Sequence, residues 1–244
     1  MDEGSLDDMA CESCPLGNTA WPPQSGESLE AEIERYKLGE MQLAAGACLL
    51  LEGAAAPHFY AVTRGVGFRH KSLTDGRRQV LGFVFPGDLV GVQGALLGRM
   101  QHSVDALSDV GLAAFDRGCL PRLFETSSTA GFAVAWRAAK DECIQDETLL
   151  SVGRRTALES AAYLLALLHQ RACATGLAPK GRLAFPLTQQ HLADTLGLSI
   201  VHTNRTLKRL SQMRLIAWQD RGCVILDEAG LLELAGWTGL DDRT

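Results

Sequence analysis

Between Leu187 and Leu210 the chain sets two short amphipathic stretches on either side of one glycine, and each stretch opens on a hydroxyl residue. Thr188 suits an N-cap, where a side-chain oxygen accepts one of the N–H groups that a first helical turn leaves unpaired. Leu192, Ala193 and Leu196 then share one side at helical spacing. Gly197 can adopt the left-handed conformation that turns the chain, and Ser199 caps a second helix whose inward side holds Thr203, Leu207 and Leu210. Small Ala193 lets the two helices approach closely. Few arrangements satisfy this pattern, and the one it predicts is a helix-turn-helix.

The outward side of the second helix carries Val201, His202, Asn204, Arg205, Lys208 and Arg209. These are the groups a DNA major groove selects: Arg forks onto guanine, Asn onto adenine, an apolar group meets the thymine methyl, and cations meet phosphate. Thr188, Gln189 and Ser199 stand at the two helix starts, where backbone N–H groups favour phosphate. After the motif, Leu215-Ile216-Ala217-Trp218 and Cys223-Val224-Ile225-Leu226 flank a turn and predict a two-stranded wing, with Arg221 near phosphate.

The net charge of −6 looks unsuited to a nucleic-acid partner until it is divided by segment. From Lys180 to Arg221 seven bases face two acids, a local +5, which leaves −11 on the rest of the chain. An acidic module joined to a basic DNA-reading module has this asymmetry.

Residues 1–28 carry Gly, Ser, acids and Trp21-Pro22-Pro23, and read as a flexible arm. That arm lacks the basic flank and apolar run of a secretory signal, and no stretch of the chain reaches the roughly 18 apolar residues of a membrane span. The expectation is a cytoplasmic protein with no membrane partner, whose seven cysteines are thiols or ligands rather than a disulfide framework. From Leu38 to Phe115, short runs such as Phe59-Tyr60-Ala61-Val62 and Val80 to Phe85 alternate with turn signals, which predicts a barrel or sandwich. Thr74-Asp75-Gly76-Arg77 reads as a tight hairpin. Few breakers interrupt Leu123 to Leu150, where Phe132, Trp136, Ala139 and Cys143 recur at spacings of four, three and four, the seam of a dimerisation helix. A further helix spans Arg154 to Arg171, with Leu158, Ala161, Ala162, Leu165 and Leu168 on its buried side.

Gly87-Asp88-Leu89-Val90-Gly91, Asp146-Glu147-Thr148-Leu149-Leu150-Ser151, Ala157-Leu158-Glu159-Ser160-Ala161-Ala162-Tyr163-Leu164-Leu165 and the helix-turn-helix together resemble the CRP/FNR family of bacterial regulators, over residues 30 to 236. The resemblance implies an α+β chain: a cyclic-nucleotide-binding-like, jelly-roll-like β-roll over 29–120, a dimerisation helix over 121–150, a winged helix-turn-helix over 151–236 and a C-terminal tail over 237–244. It implies a signal-responsive homodimer on a palindromic operator, activating transcription with RNA polymerase as partner. A constitutive DNA-binding regulator without ligand is the alternative.

Family members that bind cyclic AMP carry a Glu for the ribose and an Arg-Ser pair for the phosphate. The matching stretch here reads Gly91-Val92-Gln93-Gly94-Ala95-Leu96-Leu97, with His102-Ser103 in place of Arg-Ser. Gly87, Gly91, Gln93, Arg99, His102 and Ser103 remain the candidate effector pocket, with Arg99 able to serve another anion. Oxygen-sensing members hold an iron-sulfur cluster. Cys11-Glu12-Ser13-Cys14 suits a cluster, zinc or a redox pair, while Gly111 or Leu112 stands near the fourth ligand position and leaves Cys48 and Cys119 as displaced candidates. Haem is a further cofactor within the family, with His58, His70 and His102 as candidate ligands. Cys143, Cys173 and Cys223 read as small core residues. The recognition helix has Val201, Asn204 and Arg205 where oxygen-sensing members have Glu, Ser and Arg, so the operator should differ from theirs. No nucleophile-base pair, phosphate loop or carboxylate pair invites catalysis.

Overall fold

The short apolar runs fold as strands. The structure, a computed structural model, describes residues 34–219 and 222–240. The strands are β1 (Lys37–Leu43), β2 (Cys48–Leu50), β3 (His58–Arg64), β4 (Gly67–Ser72), β5 (Arg78–Val84), β6 (Leu89–Val90), β7 (Ser103–Ala106) and β8 (Val110–Asp116), with helix α1 (Val92–Leu97) between β6 and β7. They form two antiparallel four-stranded sheets, ordered β1-β8-β3-β6 and β2-β7-β4-β5. Leu50, Val62, Val84, Met100, Val104 and Leu112 fill the space between them. The β4–β5 turn is the expected Asp-Gly hairpin: Gly76 has φ 86°, and Asp75 Oδ1 accepts the Arg77 N–H at 3.0 Å.

The long helix expected over Leu123 to Leu150 is two helices, α2 (Cys119–Thr126) and α3 (Ser128–Gly153). Ser127 breaks them apart in an extended conformation and accepts the Ala130 N–H at 3.1 Å, so a serine taken for a helical residue acts as the N-cap of α3. Next comes α4 (Ala157–Ala174), started by Thr156 and Glu159 in a reciprocal capping box. This start lies after Arg154, and burial is not confined to the one predicted stripe: Ser160 through His169 are all buried. A helix is buried all round only when neighbours cover every side.

Those neighbours are α5 (Gln189–Leu196), α6 (Ile200–Gln212), α7 (Glu228–Ala235) and the β-roll itself, whose Phe68, Val80, Phe83 and Phe85 share one apolar cluster with Leu164, Leu168, Leu192, Leu207 and Leu231. Strands β9 (Ile216–Gln219) and β10 (Gly222–Ile225) pair antiparallel beyond α6. The core thus runs without interruption from sensor-like sheet to DNA-binding module.

One buried carboxylate ties the parts together. In the β5–β6 turn Asp88 accepts the Phe85 N–H at 2.9 Å, and both its oxygens accept from Arg171 Nη2 of α4 at 2.6 Å. Arg137 of α3 brings a second cation to 3.8 Å and donates to the Gly87 carbonyl at 2.6 Å. Burial pushes the Asp88 carboxyl upward, but Arg171 and Arg137 outweigh it and hold it below the ordinary 3.8.

Replacing Asp88 by Ala strands two guanidiniums in a poorly hydrated site and should cost about 3–5 kcal/mol in urea unfolding. Because the folded carboxyl is depressed, its stabilisation is present in full above pH 3.8 and is lost as pH falls through the folded value. The difference in urea midpoint between wild type and Asp88→Asn should therefore be widest near neutrality and should narrow at pH 3. An equal gap at both pH values would contradict this account.

Candidate nucleic-acid interface

The helix-turn-helix forms as its caps predict. Thr188 Oγ1 accepts the His191 N–H at 3.2 Å while His191 Nδ1 accepts the Thr188 N–H, also at 3.2 Å. Gly197 ends α5 at φ 66°, and Ser199 Oγ starts α6 by accepting the His202 N–H at 3.2 Å. Leu192, Ala193, Leu196, Leu207 and Leu210 are buried where the helices meet. Thr203 and Thr206 are buried too, and each returns its hydroxyl to a carbonyl one turn earlier, so neither hydroxyl is left bare.

Val201, His202, Asn204, Arg205, Lys208 and Arg209 are all exposed, as are Thr188 and Ser199, with Gln189 half-buried beside them. Among the described residues no salt bridge engages Arg205, Lys208 or Arg209. Cations left unpaired on one helix face keep their full charge for phosphate or guanine. The wing strands pair Trp218 with Cys223 and Ile216 with Ile225. Arg221, expected at its tip, lies outside the described residues, as do Cys11 and Cys14.

The six candidate effector residues all lie between the end of β5 and the start of β7. Gly87 gives its carbonyl to Arg137 and Gly91 caps α1; Gln93 is exposed, and Arg99 is exposed and donates to the Gly53 carbonyl at 2.8 Å. Ser103 accepts the Glu52 N–H at 3.0 Å. Burial lowers His102 to about 4, with Arg69 and Lys71 adding to the shift, so it is neutral at physiological pH.

Among the described residues no three of His, Cys, Asp and Glu gather to hold an ion. His70 Nε2 lies 2.9 Å from Asp105, His58 sits beside the Tyr60 ring, and Cys48 is pushed to about 11 by burial and by Asp105. Cys119 is buried at the start of α2. Among the described residues, Cys48 and Cys119 therefore do not by themselves form a cluster site. Of the three cysteines expected in the core, only Cys223 is there; Cys143 and Cys173 are exposed. On α3, Phe132, Ala139 and Cys143 form an exposed row, and Trp136 is half-buried with Lys140 Nζ 4.9 Å from its ring centre.

Two family models match the chain: a cyclic nucleotide-binding domain over residues 40–127 and a Crp-like helix-turn-helix domain over 161–234. The nitrogen fixation regulation protein FixK of Bradyrhizobium diazoefficiens is 31% identical over 231 residues, covering 92% of this chain and 93% of that one. The chain belongs to the CRP/FNR family of transcription regulators. Another relative, FixK of Rhizobium meliloti, is 32% identical over 201 residues, with 81% and 82% covered. The transcriptional activatory protein AadR of Rhodopseudomonas palustris is 29% identical over 206 residues, with 84% and 82% covered. The structure of FixK2 from Bradyrhizobium japonicum superposes with a TM-score of 0.72 at 24% identity, over 80% of this chain and 96% of that one, which establishes the shared CRP/FNR fold.

Sequence reasoning found the helix-turn-helix of this CRP/FNR chain and missed what holds it. Arg78, Gln79, Arg137 and Arg171 carry no local signal, since each works through a partner 50 or more residues away. Within the motif, Ser199→Ala should cost about 1 kcal/mol by leaving a helix-start N–H unpaired, and Ser199→Thr should restore most of it. Thermal unfolding measures both, and an unchanged Ala variant would remove Ser199 as the cap.

Proposed function

We propose that the chain is a homodimeric, cytoplasmic transcription regulator that reads an inverted-repeat operator with one α6 per half-site, and that it is not an enzyme. The observation that carries this reading is the row from Val201 to Arg209 on α6, fully exposed along one side while Thr203, Thr206, Leu207 and Leu210 bury the other. Arg205 reads guanine, Asn204 and Val201 face neighbouring bases, and Lys208, Arg209 and the helix starts at Thr188, Gln189 and Ser199 meet phosphate, with Arg221 completing the contact from the wing. The names of the relatives support activation of transcription, and RNA polymerase is the partner this reading requires.

The dimer forms along α3. Phe132, Trp136, Ala139 and Cys143 are followed by Leu150, seven residues after Cys143 and so on the same side of the helix. Phe132 is 58% exposed and Leu150 45% exposed in the protomer, which is costly for side chains of this size unless a partner covers them. The opposite side of α3 is occupied by its own β-roll, through Arg137 on Gly87 and Asp141 on Arg69 at 3.0 Å.

The β-roll works without a cyclic nucleotide. A Cβ on Gly94 would sit 2.5 Å from Met100 Sδ and 2.7 Å from Ala56 Cβ, so the side chains of this roll already fill the space behind α1. Arg99 and Ser103 then serve loop backbone groups rather than a ligand, and this observation favours constitutive DNA binding. Cys11 and Cys14, as metal ligands, cluster ligands or a redox pair, are the remaining candidates for a sensory role.

Arg205→Ala should lose about 1–3 kcal/mol on the preferred operator and relax selectivity at one position of each half-site. Lys208→Ala should instead weaken binding to all sequences alike and flatten the salt dependence. Selection from random DNA followed by titration separates the two; an Arg205→Ala protein that chooses the same site at full affinity would exclude α6 as the reading helix.

For the dimer, Phe132→Glu places two like charges against each other in the seam. Sedimentation should show monomer at micromolar concentration, with the α-helical circular dichroism retained. A dimer of undiminished stability would move the interface elsewhere.

A further inference from the structure

The β4–β5 hairpin grips the first helix of the DNA-binding motif at its C-terminal turn. Arg78 donates through Nε and Nη2 to Asp194 Oδ2 at 2.9 and 2.8 Å, and its guanidinium lies 5.1 Å over the Phe68 ring. The other oxygen of Asp194 accepts from Gln190 at 2.6 Å. Next along the strand, Gln79 Nε2 donates to the Thr195 carbonyl at 2.8 Å. Phe68 meets the His191 ring at 5.3 Å, and His191 is half of the cap on Thr188.

Each contact supplies something α5 lacks by itself. The last carbonyls of a helix have no partner within it, and its C-terminal end carries partial negative charge. A helix of eight residues that places an Asp in its last turn and no base is poorly ended. The β-roll completes it from a distance with one amide donor and one cation.

The grip leaves the reading face open, because Thr188 and every outward residue of α6 from Val201 to Arg209 remain exposed. It therefore orients the motif and does not mask it. Beneath the polar contacts the apolar cluster of Phe68, Val80, Phe83, Leu192 and Leu196 holds the two modules together without fixing an angle, since apolar contact has no direction. Forked, charge-assisted hydrogen bonds do have direction. Leu192 and Leu196 are buried in the same cluster as Leu207 and Leu210, so whatever fixes α5 fixes α6.

We propose that Arg78, Gln79 and Asp194 are positioning residues for DNA readout: the hairpin of the β-roll sets the angle at which α6 is presented, and so sets the half-site spacing that a dimer accepts. This rests on the inverted-repeat reading above. The requirement is geometric, because two rigidly held recognition helices meet successive major-groove faces only at one separation, about 34–36 Å.

The test measures affinity for a panel of inverted repeats whose spacer changes one base pair at a time, together with a single isolated half-site. Wild type should prefer one spacer. Arg78→Ala and Asp194→Ala should each lose at least about fivefold of that preference, the lower range of measured couplings between sites, while affinity for the isolated half-site stays unchanged. Arg78→Asp combined with Asp194→Arg should regain the preference. The half-site measurement separates loss of orientation from loss of fold, which would weaken every duplex alike and overturn the positioning role. A spacer preference that survives intact in Arg78→Ala, or a charge exchange no better than the single changes, overturns the clasp alone. A wild type indifferent to spacer length overturns the inverted-repeat reading and the clasp with it.

Discussion

The arrangement of this molecule depends on keeping one carboxylate charged where water barely reaches. Asp88 is 6% exposed, and its ionised form is tolerable there only because Arg171 and Arg137 come to it from two different helices. The turn that carries Asp88 is built for the purpose. Gly87 at φ 89° lets the backbone bend so that its carbonyl faces Arg137 while the next side chain reaches back to the Phe85 N–H. Since α3 runs along the β-roll and α4 leads into the helix-turn-helix, this turn fixes both with respect to the β-roll. Packing alone would permit several such arrangements; the geometry of a shared ion pair permits few.

How much of this could be read from the sequence depended on the range of the interactions. The motif from Thr188 to Leu210 was legible because caps, a left-handed glycine and a periodicity of 3.6 are written within two turns of where they act. The Asp75-Gly76 hairpin was legible for the same reason. The break at Ser127 was not, because a serine in an alanine-rich stretch fits a helix as well as a cap until α2 and α3 diverge in space. Leu164, Leu167 and Ala166 of α4 fall outside any single stripe, and what buries them is the outer face of the β4–β5 sheet, nearly a hundred residues earlier. Cys143 and Cys173 were misplaced because their apolar neighbours in sequence face the core while the cysteines face outward. The effector loop was the hardest to judge, since residue types alone cannot say whether an exposed Arg99 awaits an anion or, as here, closes its own loop on Gly53.

The distribution of charge follows from the same long-range pairing. Asp194 is one of only two acids in the basic stretch from Lys180 to Arg221, and counted by sequence it subtracts from the attraction to DNA. In space it lies on the far side of α5, 12% exposed and held by Arg78 of the β-roll. A charge paired this closely contributes little field at the opposite face of the motif, and the ionic atmosphere screens the remainder within about 8–10 Å. The exposed face of α6, the proposed reading face, therefore presents Arg205, Lys208 and Arg209 undiminished by Asp194. An acid that would have weakened a free DNA-binding domain is used to fasten it, so the motif gains orientation without losing charge where charge is needed.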